Sequence, residues 1–158
     1  MKRRDWMSVG AAVAGAQLAG TALSSCGAQG GGESPPEPAQ SAGAEADTSA
    51  LDEWARVAAE CHRVGERCLE HCIRLLGNGN TAMADCARTV NEMLPVCAAV
   101  GPLAAARSQH ARQLAALCKA VCESCLAACE AHRSHHAECA ACADACEATI
   151  AASNRVLS

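Results

Sequence analysis

The sequence predicts an all-α protein: an antiparallel up-down four-helix bundle with a cysteine-lined core, preceded by a signal peptide and a disordered tether. Three observations lead to this prediction. The 158-residue chain contains 13 cysteines and no Phe or Tyr. Twelve of these cysteines lie between Cys61 and Cys146, most of them three, four or seven residues apart, which places side chains on one face of a helix. Gly and Pro clusters divide this region into four amphipathic segments.

Residues 1–26 resemble an export signal. Arg3 and Arg4 lie in a twin-arginine-like pattern, and a modestly apolar run follows from Val9 to Leu23. The Leu-Ser-Ser-Cys sequence ending at Cys26 resembles a lipobox, in which the cysteine is lipidated; a plain cleaved signal with an incidental cysteine is the alternative. We therefore expect an exported, periplasmic or otherwise extracytoplasmic protein that is lipid-anchored through Cys26.

Residues 27–47 are rich in Gly, Pro, Ser, Ala and Glu and predict a flexible linker. The metal-binding domain is expected to span residues 48–158. Its first helix should begin at Thr48, because Asp52 and Glu53 then place negative charge near the positive N-terminus of the helix.

Each segment has an apolar seam with alternating spacings of three and four residues. The Gly77-Asn78-Gly79-Asn80 run should end helix 1, and Thr81 should start helix 2, with Pro95 kinking it or unpairing one turn. The seam of helix 1 comprises Trp54, Ala58, Cys61, Gly65, Cys68, Cys72 and Leu75, and that of helix 2 comprises Met83, Cys86, Val90, Met93 and Cys97.

Gly101 and Pro102 are expected to end helix 2 and to open a long helix 3, with proline in its first turn. Ser134 is the expected N-cap of helix 4. The seam of helix 3 comprises Leu114, Cys118, Cys122, Cys125 and Cys129, and that of helix 4 comprises Cys139, Cys142, Cys146 and Ile150.

An up-down arrangement of these helices sorts the twelve cysteines into four layers about 5 Å apart. The predicted layers, from one end to the other, are Cys72, Cys86, Cys129 and Cys139; Cys68, Cys125 and Cys142; Cys122 and Cys146 near Met93; and Cys61, Cys97 and Cys118.

The two ends of the predicted bundle differ in composition. We call the deep end, with Trp54, Leu103, Leu114 and Ile150, the closed end, because these side chains are large enough to plug it. The opposite end, here the histidine end, offers thioether and imidazole groups that can pass a soft ion inward; its residues are Met83, His71, His132, His135 and His136. Met83, His132 and His136 are the predicted entry residues, although a solvated polar helix end is the simpler explanation for any single histidine.

The spacing of the cysteines favours metal binding over disulfide formation. Helix neighbours three or four residues apart have Cβ atoms about 5–6 Å apart, whereas a disulfide requires about 3.8 Å. Thiolate and thioether ligands favour Cu(I), with zinc as the main competitor for thiolates. Zinc sites usually use Cys-x-x-Cys pairs at turns, and these pairs lie mid-helix. Disulfide bonds between helices remain an alternative.

The same residues resemble the bacterial copper storage proteins over residues 50–153. The resemblance rests on Leu94-Pro95-Val96-Cys97, on the cysteine run from Cys118 to Cys129 and on the His-rich turn that follows. It implies a four-helix bundle filled with many Cu(I) ions, commonly assembled as tetramers, with His or Met near its open end. The twin-arginine pattern is similar to that of the exported members, while Cys26 departs from a freely diffusing one.

The sequence therefore predicts a copper storage or buffering protein, not an enzyme. Twelve thiols are the expected ligands, with Met93 as an accessory thioether: Cys61, Cys68, Cys72, Cys86, Cys97, Cys118, Cys122, Cys125, Cys129, Cys139, Cys142 and Cys146. Expected partners are copper ions, a copper chaperone or cuproenzyme recipient, further copies of the chain, and a membrane through the lipid anchor. The net charge of −4 and two tryptophans argue against nucleic acid. A zinc or general soft-metal buffer and a thiol redox protein are the alternatives.

Overall fold

The structure, a computed structural model, describes residues 42–158, with side chains from Asp47 onward. It contains four α-helices, with a short 3-10 helix at Thr81–Met83 before the second. The helices are α1 (Ala42–Gly77), α2 (Ala84–Ala105), α3 (Ala111–Glu130) and α4 (Ala137–Leu157). The predicted signal, Cys26 and most of the predicted linker lie outside the described residues.

Each helix packs against two neighbours. Helix α1 packs on α2 and α4, and α3 packs on the same two helices. Within residues 42–158 the backbones of diagonal helices stay apart, while thiols such as Cys86 and Cys139 meet between them with sulfurs 3.9 Å apart. The predicted four-helix bundle is therefore confirmed. Helix α1 begins at Ala42 rather than at Thr48, so the last residues of the predicted linker are helical.

The turn after α1 follows the sequence prediction. Gly79 adopts a left-handed φ of 87°. The Asn80 N–H donates to the Leu75 carbonyl at 3.0 Å, and the Gly79 N–H donates to the Leu76 carbonyl at 2.9 Å. These two bonds form a Schellman motif, in which glycine is favoured because it has no Cβ to clash.

The predicted boundary between helices 2 and 3 is wrong. Helix α2 continues through Gly101 and Pro102, and α3 begins only at Ala111. Pro102 removes one backbone donor from the last turns of α2. Val100 and Ala104 lie on the same turns and are buried in the core. The free energy gained by burying these apolar side chains offsets the lost hydrogen bond, so the helix continues past the proline.

A second Schellman motif, at a non-glycine residue, ends α2 instead. Arg107 has a φ of 45°, the Ser108 N–H donates to the Leu103 carbonyl at 3.0 Å, and the Arg107 N–H donates to Ala104 at 2.9 Å. Arginine rarely occupies the left-handed region. Because the left-handed residue is not a glycine, the sequence does not mark this helix end.

The predicted N-cap of helix 4 is also wrong. His136 precedes the first helical residue, Ala137, and makes no side-chain capping bond; Ser134 lies in the turn before it. The His136 imidazole instead contacts His71 on α1, with 3.0 Å between Nδ1 and Nε2. No side-chain cap therefore marks the start of α4. Burial of Cys139 and the contact of His136 with the neighbouring helix α1 accompany it instead.

The predicted seams line the core. Every seam cysteine is buried, as are Trp54, Met83, Val90 and Met93, while Leu75, Leu114 and Ile150 are half-buried. Gly65 allows α2 to approach α1 closely, because a Cβ there would lie 2.7 Å from Met93 Cε and 3.0 Å from Leu94 Cδ2. The interior is thus built largely from thiols and thioethers.

The outer faces carry charged side chains in short ion pairs along the helices. Examples are Arg56 with Glu53 at 2.9 Å and Arg88 with Glu92 at 3.0 Å. Exposed pairs of this kind add little stability. None of the helices within residues 42–158 has the length and apolar character needed to cross a membrane.

Candidate metal centre

The twelve cysteines of the bundle are buried and free. The closest pair, Cys86 and Cys129, has sulfur atoms 3.5 Å apart, and other neighbouring pairs are 3.8–4.0 Å apart. A disulfide requires about 2.05 Å between the sulfurs. The described cysteines are therefore present as closely packed thiols rather than as disulfides.

The thiols form five overlapping groups in which all sulfur atoms lie within 4.8 Å of one another. One group has four members and four groups have three. From the histidine end to the closed end they are Cys68, Cys72, Cys86 and Cys139; Cys68, Cys129 and Cys142; Cys125, Cys142 and Cys146; Cys61, Cys122 and Cys146; and Cys97, Cys118 and Cys122.

Consecutive groups share a thiol. Cys68 joins the first two groups, Cys142 the second and third, Cys146 the third and fourth, and Cys122 the last two. The groups thus form one continuous chain of sulfur sites along the bundle. A shared thiolate can bridge two soft cations, so this arrangement suits a multinuclear cluster better than isolated sites.

The grouping corrects the predicted layers in part. Of the predicted first layer, Cys72, Cys86 and Cys139 lie together, but Cys68 takes the place of Cys129, which groups with Cys68 and Cys142. Cys61, predicted in the deepest layer, lies instead with Cys122 and Cys146. One turn further along α1, Gly65 lies against Met93, which also contacts Cys61. The Cys61 thiol contacts the Met93 thioether, with 3.6 Å between the sulfurs.

Each thiol group contains one cysteine with a lowered pKa; these are Cys61, Cys118, Cys139 and Cys142, the last shared by two groups. The pKa of Cys118 is lowered to about 4, chiefly by hydrogen bonds from Cys122 and then Cys97. The pKa values of those two donors are raised, mainly because each gives its proton to Cys118. The thiolate is the form that binds metal, and the hydrogen bonds from neighbouring thiols favour that form at one cysteine in each group.

The sulfur spacing fits soft metal ions. With metal–sulfur bonds of about 2.3 Å, trigonal coordination requires sulfurs about 4.0 Å apart and tetrahedral coordination about 3.8 Å. The closest sulfur pairs are 3.5–4.0 Å apart, a range that includes both values. All sulfurs of one group lie within 4.8 Å of one another. Four of the five groups offer only three thiols, which suits Cu(I) better than closed tetrahedral zinc.

Histidines cover the first group at the seam between α1 and α4. His71 precedes Cys72 and is buried, whereas the predicted entry residue His136 is half-buried. In addition to its contact with His136, His71 Nδ1 lies 3.2 Å from Glu138 Oε1 and 3.1 Å from Arg74 Nη2. His71 also lines a surface groove of about 800 Å³ between the two helices.

The other predicted entry residues lie at different depths. The ring of His132 lies 6.2 Å from that of His136, and His132 is half-buried. Met83 is fully buried in the 3-10 helix and belongs to the core, so it is not a surface residue. His135 is exposed in the turn. The sequence analysis placed His71 at this end but missed Arg74, one turn later on α1, and Glu138, which α4 brings to it.

The closed end contains buried polar groups as well as the predicted plug. Trp54 is fully buried, while Leu103, Leu114 and Ile150 are half-buried. Thr149 and Ser153 on α4 are fully buried beside this end. Sequence reasoning missed both, because a small hydroxyl residue on a helix carries no signal of its partner across the bundle.

A solved structure resembles this fold. It is described as "Copper loading to a cytosolic copper storage protein from Streptomyces lividans (five coppers)" and has 22% sequence identity with a TM-score of 0.65. The match covers 72% of this chain and 96% of the other. Comparison with curated proteins gave no match.

This match contradicts the predicted location. The expected exported, extracytoplasmic and lipid-anchored protein conflicts with a structural neighbour that is a cytosolic copper storage protein. The thiol-lined core by itself does not specify a compartment. The signal-like pattern and Cys26, on which the prediction rested, lie outside the described residues.

The family comparison agrees with the thiol-lined core. The model of the family described as copper storage protein matches residues 47–158, which include all four seams and all twelve core cysteines. The chain therefore belongs to the copper storage protein family.

Proposed function

We propose that the twelve core thiols of this copper storage protein are the ligands that hold multiple Cu(I) ions inside the bundle. The observation that carries the proposal is the unbroken series of five thiol groups linked by shared cysteines. Isolated structural sites would not share ligands, whereas a store must pack many ions into a small volume. Met93 adds a thioether beside Cys61.

Burial supports storage rather than redox exchange. Each of the twelve cysteines is at most 1% exposed. A catalytic thiol must reach its substrate and is therefore partly exposed. Thiols enclosed in this way instead protect a bound soft ion from water and from competing ligands.

Entry is proposed at the histidine end along the α1–α4 seam. His71 and His136 each lie close in sequence to a cysteine of the first group, Cys72 and Cys139 respectively. Their imidazoles lie together and the His136 side is half-buried, so an arriving Cu(I) would meet nitrogen ligands before sulfur. His132 extends this path outward, and Met83 supplies a thioether on the inner side.

A copper chaperone and self-association belong to the same proposal. The charged groove that reaches His71 is a suitable place for a carrier to deliver its ion. Ile73 and Leu117, 57% and 51% exposed, are large apolar side chains that an oligomer would cover. Analytical ultracentrifugation of the wild type and of a charged replacement at each position tests the assembly.

Zinc is the second candidate, and one observation favours it. Cys68, Cys72, Cys86 and Cys139 form the only group with four mutually close thiols within residues 47–158, the number that a structural zinc site requires. Exclusive tetrahedral sites would limit twelve thiols to three zinc ions. Stoichiometry therefore separates the two functions.

The deciding experiment is an anaerobic titration. The purified protein is tested for free thiols and then titrated separately with Cu(I) and Zn(II) against competing chelators. Copper storage predicts uptake on the order of one Cu(I) per core cysteine. Saturation at one or two Cu(I) ions would exclude storage, and tighter retention of about three zinc ions would favour the alternative.

A further inference from the structure

Thr149 is a buried hydroxyl residue at the place where α4 packs against α1. Its side chain is fully inaccessible to solvent. The Thr149 Oγ1 donates to the Ala145 carbonyl of its own helix at 2.9 Å and lies 3.4 Å from the Val57 carbonyl of α1. Because a hydroxyl has a single hydrogen, the two carbonyl oxygens share it. Thr149 therefore links the backbones of two helices inside the core.

This link lies one helical turn from two core thiols. On α1, Cys61 follows Val57 by four residues. On α4, Cys146 precedes Thr149 by three residues. The two helices run antiparallel, so both cysteines lie on the histidine-end side of the link. The sulfurs of Cys61 and Cys146 are 3.9 Å apart. The placement of α4 against α1 at Thr149 therefore also sets the distance between these two thiols.

Cys61 has a second contact, which holds it from the side of α2. The Met93 thioether lies 3.6 Å from the Cys61 sulfur. Met93 itself packs against Gly65, where an added Cβ would lie 2.7 Å from Met93 Cε. Since the packing of α1 on α2 already fixes Cys61, the distance to Cys146 depends on the position of α4.

Cys146 connects two parts of the series of thiol groups. It belongs to the third group and also to the fourth, which it forms with Cys61 and Cys122. Cys122 in turn belongs to the last group, at the closed end. Among the described residues, the fourth group thus joins the closed end to the rest of the series. A shift of α4 away from α1 would loosen this group.

We propose that Thr149 is a positioning residue for Cu(I) storage, whose hydroxyl holds the Cys146 sulfur close to those of Cys61 and Cys122. The hydroxyl oxygen lies within 3.4 Å of two carbonyl oxygens, whereas a methyl group packs best at about 3.5–4.0 Å from its neighbours. A hydrocarbon side chain of the same shape would therefore move the α4 turn away from α1. The inference rests on the proposed storage of Cu(I) by the core thiols and names a residue that positions one group of these ligands.

Two substitutions separate positioning from a purely structural role. Thr149→Val removes the hydroxyl, but both carbonyls keep their backbone N–H partners within the helices, so no buried acceptor is left unsatisfied. The unfolding temperature of the metal-free protein should therefore stay equal or rise, while Cu(I) retention falls. Thr149→Ser keeps the hydroxyl and removes a buried methyl group, so the unfolding temperature should fall while retention stays unchanged. A structural role alone would make retention follow the unfolding temperature.

The experiment uses the full chain, saturated anaerobically with Cu(I) and titrated with a competing Cu(I) chelator. Bound copper per chain is measured at each chelator concentration. Thr149→Val should raise the dissociation constant of about one ion per chain by about tenfold, because the ligands themselves remain. Thr149→Ser should match the parent chain. Thr89→Val is the matched control, since it removes a buried hydroxyl that donates to the Asp85 and Cys86 carbonyls of its own helix.

The result also separates this inference from the proposed function. A parent chain that takes up no more than one or two Cu(I) ions overturns the storage proposal and this inference together. A parent chain that loads fully, with Thr149→Val retaining copper as well as the parent or no worse than Thr89→Val, overturns the inference alone. If Thr149→Val fails to fold, Thr149→Ala is compared with Thr149→Ser, because both lack the methyl group and differ only in the hydroxyl. Equal retention in that pair would likewise overturn the inference.

Discussion

The histidine end and the closed end of the bundle use polar side chains in opposite ways. At the histidine end, the buried His71 is already paired with His136 and Glu138 on α4. At the closed end, the buried Trp54 Nε1 and Ser153 Oγ have no hydrogen-bond partner. The first arrangement joins α1 and α4 at a partly exposed seam. The second leaves two buried polar atoms unsatisfied.

This difference gives the chain of thiol groups a direction. Imidazoles beside a groove can exchange an ion with the surroundings, whereas the fully enclosed thiols of the closed end are shielded from competing ligands. Between the two ends, each of the five thiol groups shares one cysteine with the next group. The following predictions test this contrast, beginning with the largest expected effect.

Removing two thiols at either end should lower capacity equally but change retention unequally. Cys86→Ala with Cys139→Ala affects the first group, and Cys97→Ala with Cys118→Ala affects the last. We expect each double variant to lose about two Cu(I) ions per chain. Only the closed-end variant should lose the tightest ion, by more than about a hundredfold in affinity, because it removes ligands themselves. Anaerobic chelator titration measures both quantities, and equal retention in the two variants would contradict the proposed direction.

Replacing His71 should slow uptake without altering capacity. His71→Gln removes the imidazole that contacts His136 and Glu138 at the α1–α4 seam. We expect uptake from a Cu(I) donor to slow about tenfold, equivalent to about 1.4 kcal/mol of barrier. Stopped-flow absorbance measures the rate. His62→Gln is the control, since His62 lies on the outer face beside Glu66; equal rates in both variants would place entry elsewhere.

Adding a methyl group at Gly65 should disturb the closed-end side of the core. The Cβ of Gly65→Ala would lie 2.7 Å from Met93 Cε, which forces the thioether away from Cys61. We expect a loss of about 1–2 kcal/mol in the free energy of unfolding, since overpacking exceeds the helix propensity gained. Urea denaturation measures it.

Gly101→Ala is the matched control for this change. No atom lies within 4 Å of the added Cβ, and the residue is within α2. We expect a gain of about 0.5–1 kcal/mol. A Gly65→Ala protein as stable as this control would show that the close approach of α1 and α2 is not required.

The smallest effect is expected at Arg133, next to the histidine end. Its guanidinium contacts Glu130 on one side and Asp144 and Glu147 of α4 on the other. Hydrogen bonds to Glu130 and then Asp144 raise its pKa. Arg133→Gln should increase hydrogen exchange of the turn at residues 131–136 several-fold while global stability changes little. Arg88→Gln, whose ion pairs lie within α2, should leave that turn unchanged.

Features set by local interactions were predictable from the sequence, whereas features set by packing between helices were not. The cysteine seams and the Gly79 turn were predicted correctly, because helical period and left-handed backbone preference are local properties. The end of α2 was not, because Arg107 occupies a glycine-type conformation and buried packing carries the helix past Pro102. The shift of Cys61 from the predicted deepest layer was missed for a similar reason: it depends on how closely two helices approach.

The sequence by itself thus determined a four-helix bundle with twelve inward-facing thiols, because side-chain spacing along a helix fixes which residues share a face. Only the tertiary structure decided which thiols form groups and which cysteines are shared. It also decided that His71 has hydrogen-bonding partners on α4 while Trp54 and Ser153 have none. Those features depend on the relative depth, rotation and separation of neighbouring helices. The periodicity of each helix leaves these three quantities free, and packing at places such as Gly65 sets them.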